Sequence, residues 1–404
     1  MVFVGIDWAS DHHDVAALSP QGELLLKVRI PHSAEGFEGL RSALARLGVP
    51  FAEIAVAIEM HEGPLVLWLL DQGYVVYGIN PRMADRARDR LSAIGAKDDA
   101  RDALSLADFV RTQAIRLRPL RPEDPATGLL RQYVRLREDL VQERTAHKQR
   151  LGAHLQQYAP ELCELLSPYR TEWGRTLLLQ FPTMKRLQTA KPSQVRALAR
   201  KHRMAKSTLE AILEIQSKPA LPVPDYLDGP HAMEVEHRMR AIAELDHSID
   251  ELDQKIEDLI NNHPDANLIQ SLPSGGAATR GALWSGLEHG TQMCRTADEL
   301  AARWGMAPVT FQSGKSRSVR QRRACDHTQT QYLLWFSFAT SRRKDCWASE
   351  YYQRKRAEGK SHSVALRALS NVWLRIVYRM WNTHTCYDPA IFGAARQAHA
   401  PRAA

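Results

Sequence analysis

Three short apolar runs, at 2–6, 54–58 and 74–79, lie in the first part of the chain and are rich in Val, Ile and Tyr. Runs of that length and content form strands covered on both faces. Segments 15–19 and 24–30 flank Pro20, Gln21, Gly22 and Glu23, whose turn chemistry predicts a hairpin. Phe37, Leu40, Leu44 and Leu47 recur at helical spacing over 34–47 and stop at Gly48. A second helix through Leu65, Leu69 and Leu70 ends at Gly73, and helices are expected over 82–94 and 99–111. Strands alternating with helices in this way build a mixed sheet with helices packed on it.

The rest of the chain reads as helical. Residues 1–112 form the α/β domain and 113–127 a linker, in which Arg116, Arg118 and Arg121 stand beside prolines. Over 128–262, one long helix carries Leu129, Tyr133, Leu136, Leu140, Leu151, Leu155 and Tyr158 near one stripe. A second repeats Ile242, Leu245, Ile249, Leu252, Ile256 and Leu259 at heptad spacing, the seam of an antiparallel coiled coil within a chain or between chains. Residues 263–388 are expected to be an all-α domain and 389–404 a tail. The 404 residues suffice for about two to four domains. No apolar run approaches the ~18–20 residues of a membrane span, and no basic stretch precedes an apolar segment at the N-terminus. Five scattered cysteines without a CxxC pair argue against a disulfide framework or structural zinc and fit a reducing cytoplasm. A net charge of +8 points to a polyanion where the cations cluster.

Asp7 is expected just after the first strand and Glu59 at the end of the second buried one, with Glu62 as a rival. Asp99 and Asp102 stand i, i+3 at a helix start, and Asp98 competes with Asp99. Alone, each of these is more simply a loop or capping residue. Converging on one sheet edge, four carboxylates repel unless a divalent cation lies among them, and hard oxygen donors suit Mg²⁺ or Mn²⁺. His12, His13 and His61 lie nearby and read as polar neighbours.

A second constellation lies near the other end. Between Glu299 and Asp326 there is no acid, while Arg303, Lys315, Arg317, Arg320, Arg322 and Arg323 surround Ser313, Ser316 and Ser318. Composition alone favours a solvated basic loop gripping a nucleic-acid backbone; the alternative is a serine nucleophile activated beside a metal or cationic clamp. Arg342, Arg343, Lys344, Arg354, Lys355, Arg356 and Lys360 form a further basic surface. The turn at Pro273, Ser274, Gly275 and Gly276 before a helix resembles the hairpin of a helix–hairpin–helix.

The ordered set GIDWASDHHDVA, AIEMHEGPLVLWL, GYVVYGINP, KDDARDALSLADF, WGMAPVTFQSGKS, YYQRKRAEGKSHSVAL and the closing CYD resembles the bridge-RNA-guided insertion-sequence transposases, the insertion-sequence one-ten family. The order of the N-terminal elements is likewise that of an RNase H-like, RuvC-like domain. The resemblance implies an Asp-Glu-Asp-Asp set at Asp7, Glu59, Asp99 and Asp102 and a C-terminal serine transposase domain with Ser313 as nucleophile. It implies a transient 5′-phosphoserine link, donor and target DNA as substrates, and a non-coding bridge RNA supplying sequence choice. It further implies a homodimer pairing into a tetramer, in the cytoplasm at the nucleoid. Asp98 stands where the family has Thr or Asn, and PSGGA replaces its PGxGP turn. The competing readings are a RuvC-like junction nuclease in which water attacks and a non-catalytic nucleic-acid-binding scaffold.

Overall fold

The computed structural model describes residues 1–80, 83–85, 99–166, 171–314, 316–344 and 346–391. Its N-terminal part is a five-stranded sheet in the order β3-β2-β1-β4-β5. The strands are β1 Val2–Trp8, β2 His12–Leu18, β3 Leu24–Pro31, β4 Ile54–Ile58 and β5 Val75–Gly78. β2 runs antiparallel to both β1 and β3, whereas β4 lies parallel to both β1 and β5. Helices α1 Ala34–Ala45 and α2 Pro64–Asp71 follow β3 and β4. The Ser33 side chain caps α1 by accepting from Gly36 N–H.

Alternation divides the strand residues between two cores. Val2, Val4, Ile6, Val15, Ile54, Val56 and Ile58 pack with Leu40 and Leu44 of α1 and Leu65, Val66 and Leu69 of α2. Phe3, Ala55, Ala57 and Tyr77 pack with Leu106 and Val110 of α3, Asp99–Gln113. β4, being covered on both sides, is buried at every residue, which is why its sequence reads as an unbroken apolar run. Gly5 is the closest approach of sheet and helix. A methyl group there would stand 1.9 Å from the Ala103 carbonyl oxygen and 2.4 Å from the Ala107 nitrogen, so α3 rests on bare backbone.

The strands reach further than expected. β1 continues to Trp8, which puts Asp7 inside the strand, and β2 starts at His12, which takes Asp14 into the sheet. Of the helix expected over 82–94, residues 83–85 are helical and the remainder lies outside the described residues.

The chain folds into two compact units. One comprises Met1–Gly128, Asn267–Gly275 and Ala282–Ala404; the other comprises Leu129–Ala266 and Gly276–Gly281. The second unit is built on two 34-residue helices, α4 Pro125–Tyr158 and α10 Asp228–Asn261. Between them come α5 Pro160–Leu166, α6 Glu172–Gln180, α7 Met184–Thr189, α8 Pro192–Lys201 and α9 Lys206–Ser217. Arg137 grips Asp253 at 2.6 and 3.0 Å, and Arg144 reaches Asp246 at 2.7 Å. Ascending numbers on one helix meet descending numbers on the other, so the two run antiparallel within this chain. Of the heptad seam of α10, Ile242, Leu245, Ile249, Leu252 and Ile256 are buried, while Leu259 is half-buried and Ile260 takes its place in the core.

The C-terminal part contributes α11 Ala266–Gln270, α12 Ala277–Met293, α13 Ala297–Arg303, α14 His327–Ser341, α15 Trp347–Ala357 and α16 His362–Thr383. Trp284, Trp304, Tyr332, Phe336 and Trp373 are fully buried. Ser370 donates to Ser337, and Trp373 Nε1–H donates to Thr340, satisfying buried polar groups between α14 and α16. This part is not all-α, as the sequence reading held. β6 Val309–Ser313 and β7 Ser316–Arg320 form a two-stranded antiparallel hairpin. Val309, Phe311 and Val319 supply strand propensity, and Gly314, at φ +55°, turns the chain within two residues. The surrounding Ser, Gly and Arg disguise it as a loop.

Candidate active site

The acidic residues are positioned by strand register and by one helix. Ile6 pairs with Ile58 across the parallel β1–β4 ladder. Asp7 and Glu59 come next on their respective chains and so stand at the same level. Ile6 belongs to the core under α1 and α2, so alternation sends Asp7, still inside β1, to the other face, the one covered by α3. Glu59 follows β4 directly.

The direction of α3 follows from its far end. Arg111, in its last turn, donates to the Pro20 carbonyl and lies against Gly22. That turn is beside the start of β1, because Phe3 pairs with Leu18. α3 therefore runs antiparallel to β1, and its N-terminus points toward Asp7. Asp102, 5% exposed, lies one turn into the helix, and Asp99 opens it. Asp98 lies outside the described residues. A helix N-terminus lowers the cost of gathering carboxylates there.

Three acids of the predicted set, Asp7, Glu59 and Asp102, thus lie at one end of the sheet. Their carboxylate oxygens are donors of the kind Mg²⁺ or Mn²⁺ takes. Among the described residues, no group of three His, Cys, Asp or Glu side chains is close enough to hold an ion as it stands. Asp14, which the sequence reading did not single out, sits directly across from Asp7 in the β1–β2 register. Arg29 donates to both its oxygens, at 3.1 and 2.7 Å. The signal for Asp14 was the tight reversal at Ala9 to Asp11, which pairs 7 with 14.

His13 and His61 are neutral packing groups, whereas His12 meets Asp11 Oδ1 at 2.9 Å. His13 is fully buried and its pKa is pushed down to about 4, first by burial and then by the neighbouring His32 and His12. His61 is likewise lowered to about 4, by burial foremost and then by the charge of Arg303. Its ring fills the space over Gly78, where a methyl group would fall 1.9 Å from Nδ1. Arg303 ends α13, so the 59–63 segment feels a cation from the C-terminal part of the same unit.

Ser313 stands exposed at the tip of the β6–β7 hairpin, paired in register with Ser316. Arg317, Arg320 and Arg323 are also exposed and Arg322 is half-buried; Lys315 lies outside the described residues. In the second basic surface, Arg354 lies 5.2 Å from the Tyr351 ring centroid. Lys355 is held by Glu358 at 2.8 Å, and Arg356 donates to the Lys360 carbonyl at 2.7 Å. The last two complement the C-terminal end of α15, a structural use of basic residues.

The mixed sheet with its acids at one end thus shares one compact unit with the helical part that bears the basic serine hairpin. Residues 4–160 match a family described as Transposase, and residues 266–353 match one described as Transposase IS116/IS110/IS902 family. The chain belongs to this IS110/IS116 family of transposases. It is similar to the "Mini-circle putative transposase for IS117" of Streptomyces coelicolor, at 27% identity over 96% of this chain and 95% of the relative. The uncharacterized 43.6 kDa protein of insertion element IS110 from the same species is 27% identical, again over 96% and 95%. An uncharacterized 42 kDa protein of insertion element IS900 from Mycobacterium paratuberculosis is 27% identical over 98% of this chain and 99% of the relative. Among the described residues, no helix is long and apolar enough to cross a membrane.

Proposed function

We propose that this transposase cuts and rejoins DNA by metal-assisted phosphoryl transfer, with Asp7, Glu59, Asp99 and Asp102 holding Mg²⁺ or Mn²⁺ and Ser313 as nucleophile. The observation that carries the reading is the shared level of Asp7 and Glu59 on adjacent parallel strands, with the N-terminus of α3 bringing Asp102 to the same end. The strand order, with one antiparallel flank and one parallel flank around β1, supports an RNase H-like, RuvC-like domain. Bound there, the cation supplies Lewis-acid polarisation of a phosphodiester oxygen.

The chain's own residues do the rest. Ser313 Oγ attacks phosphorus, the P–O3′ bond breaks, the serine proton passes to solvent while the departing O3′ takes one from it, and a 5′-phosphoserine and a free 3′-hydroxyl result. Attack by a 3′-hydroxyl then releases the serine. Arg317, Arg320 and Arg323 neutralise the flanking phosphates. Folding of residues 1–128 and 282–404 into one unit supports a composite site. A bridge RNA pairing with donor and target DNA, a homodimer pairing into a tetramer, and a coiled-coil role for α4 and α10 in that assembly complete the reading.

The test is to trap a covalent protein–DNA adduct in Mg²⁺. Adduct formation is expected in the wild type and absent in Ser313→Ala and Asp7→Asn. Nicked DNA without an adduct would replace serine by water as the nucleophile. Unchanged nucleic-acid binding in the quadruple alanine variant of the four acids, with no cleavage by wild type, would leave a scaffold.

A further inference from the structure

The β6–β7 hairpin carries apolar surface that no core explains. Phe311 is 54% exposed and Val319 59%, and a two-stranded ribbon gains little from exposing them. Phe311 and Ser313 are two residues apart on one strand, so they share a face, about 7 Å apart along it. That face also carries Ser316, Ser318 and Arg320, by register.

The surroundings define the occupant. Arg320 lies 5.5 Å from the Phe311 ring centroid, leaving the rest of the ring open. At the base of the hairpin, Val309, Phe311, Arg320, Gln321, Arg322 and Arg323 line a concavity of about 730 Å³, within the ~300–1,000 Å³ range of ligand pockets. No acid lines it. An aromatic face ringed by guanidinium groups complements an unpaired base with its flanking phosphates, whereas a base inside a duplex presents no free face. An apolar protein partner would leave three arginines facing it without counter-charge.

We infer that Phe311 is a stacking platform for an unpaired base of the DNA strand meeting the hairpin, with Arg320, Arg322 and Arg323 on the adjoining phosphates. The choice of DNA rests on the reading of Ser313 given above. Phe311 is then a positioning residue: it fixes the nucleotide neighbouring the phosphate that Ser313 meets.

The experiment uses the full-length protein and a single-stranded DNA oligonucleotide carrying 2-aminopurine, whose fluorescence is quenched on stacking. Wild type is expected to quench it. Phe311→Ala is expected to lose the quenching and bind about tenfold more weakly, the scale of base–aromatic stacking. Phe311→Trp restores both, which excludes misfolding as the cause. Ser313→Ala keeps the quenching, so a failure of the serine reading, seen as adduct formation by Ser313→Ala, is told apart from a failure here. Quenching that persists in Phe311→Ala overturns the proposal. So does tighter binding and stronger quenching of the matched RNA, or a Phe311→Ala change in oligomeric state with DNA affinity unaltered.

Discussion

Asp14 stands opposite Asp7 across β1 and β2, and Arg29 holds both of its carboxylate oxygens. A second acid on the face under α3 is thereby neutralised inside the sheet. Arg29→Met leaves Asp14 buried without that fork and is expected to cost about 1–3 kcal/mol in urea unfolding. Arg29→Lys should recover part of the loss, because an ammonium cannot donate to both oxygens in one plane. Adding Asp14→Asn to Arg29→Met should recover more.

Gly5 sets the distance between α3 and the sheet. Gly5→Ala drives a methyl into the Ala103 carbonyl, so the helix must lift. The expected cost is about 1–3 kcal/mol or more. Cleavage should fall further than stability does, because Asp102 moves with α3. Comparing cleavage rate and unfolding midpoint in the same variant checks this.

Acid should destabilise the N-terminal sheet through His13 and His61. Both are held near 4 in the folded protein against 6.5 when unfolded. Between those values the unfolded chain takes up protons that the folded chain does not. Stability is therefore full above about pH 6.5 and falls as pH drops toward 4, by a few kcal/mol at most. His61→Gln should flatten the slope. Arg303→Met should move the His61 titration upward by a minority of its shift, since burial is the larger cause; the imidazole resonances report both.

In the helical unit, Arg137 and Asp253 fix the register of α4 against α10. Reversing either charge alone is expected to destabilise the unit, and the exchanged pair Arg137→Asp with Asp253→Arg to restore it. A double-mutant cycle should give a coupling of about 1 kcal/mol.

The apolar runs showed the parallel strands plainly because β4 is buried on both faces and tolerates no polar residue. They hid the start of β2, where His13 and Asp14 look like loop residues; these are buried against partners, His32 for His13 and Arg29 for Asp14, that lie far along the chain. That Asp7, Glu59 and Asp102 come at one end of the sheet was legible because strands and helix starts are local features, although β1 runs past Asp7 to Trp8. The hairpin under Ser313 could not, since a solvated ribbon keeps few of the apolar residues that announce a strand. Whether the long helices paired within one chain was also beyond periodicity, which gives a seam and not a partner; Arg144 and Asp246 provide the answer.

The unit that holds the acids is made from residues 1–128, 267–275 and 282–404, with the paired long helices inserted between. A ribosome must therefore release residues 282–404 before that unit can close. Fragments from premature termination would keep the acidic face and lack the serine hairpin. The acidic face and the serine hairpin are therefore brought into one folded unit only after the hairpin has been made.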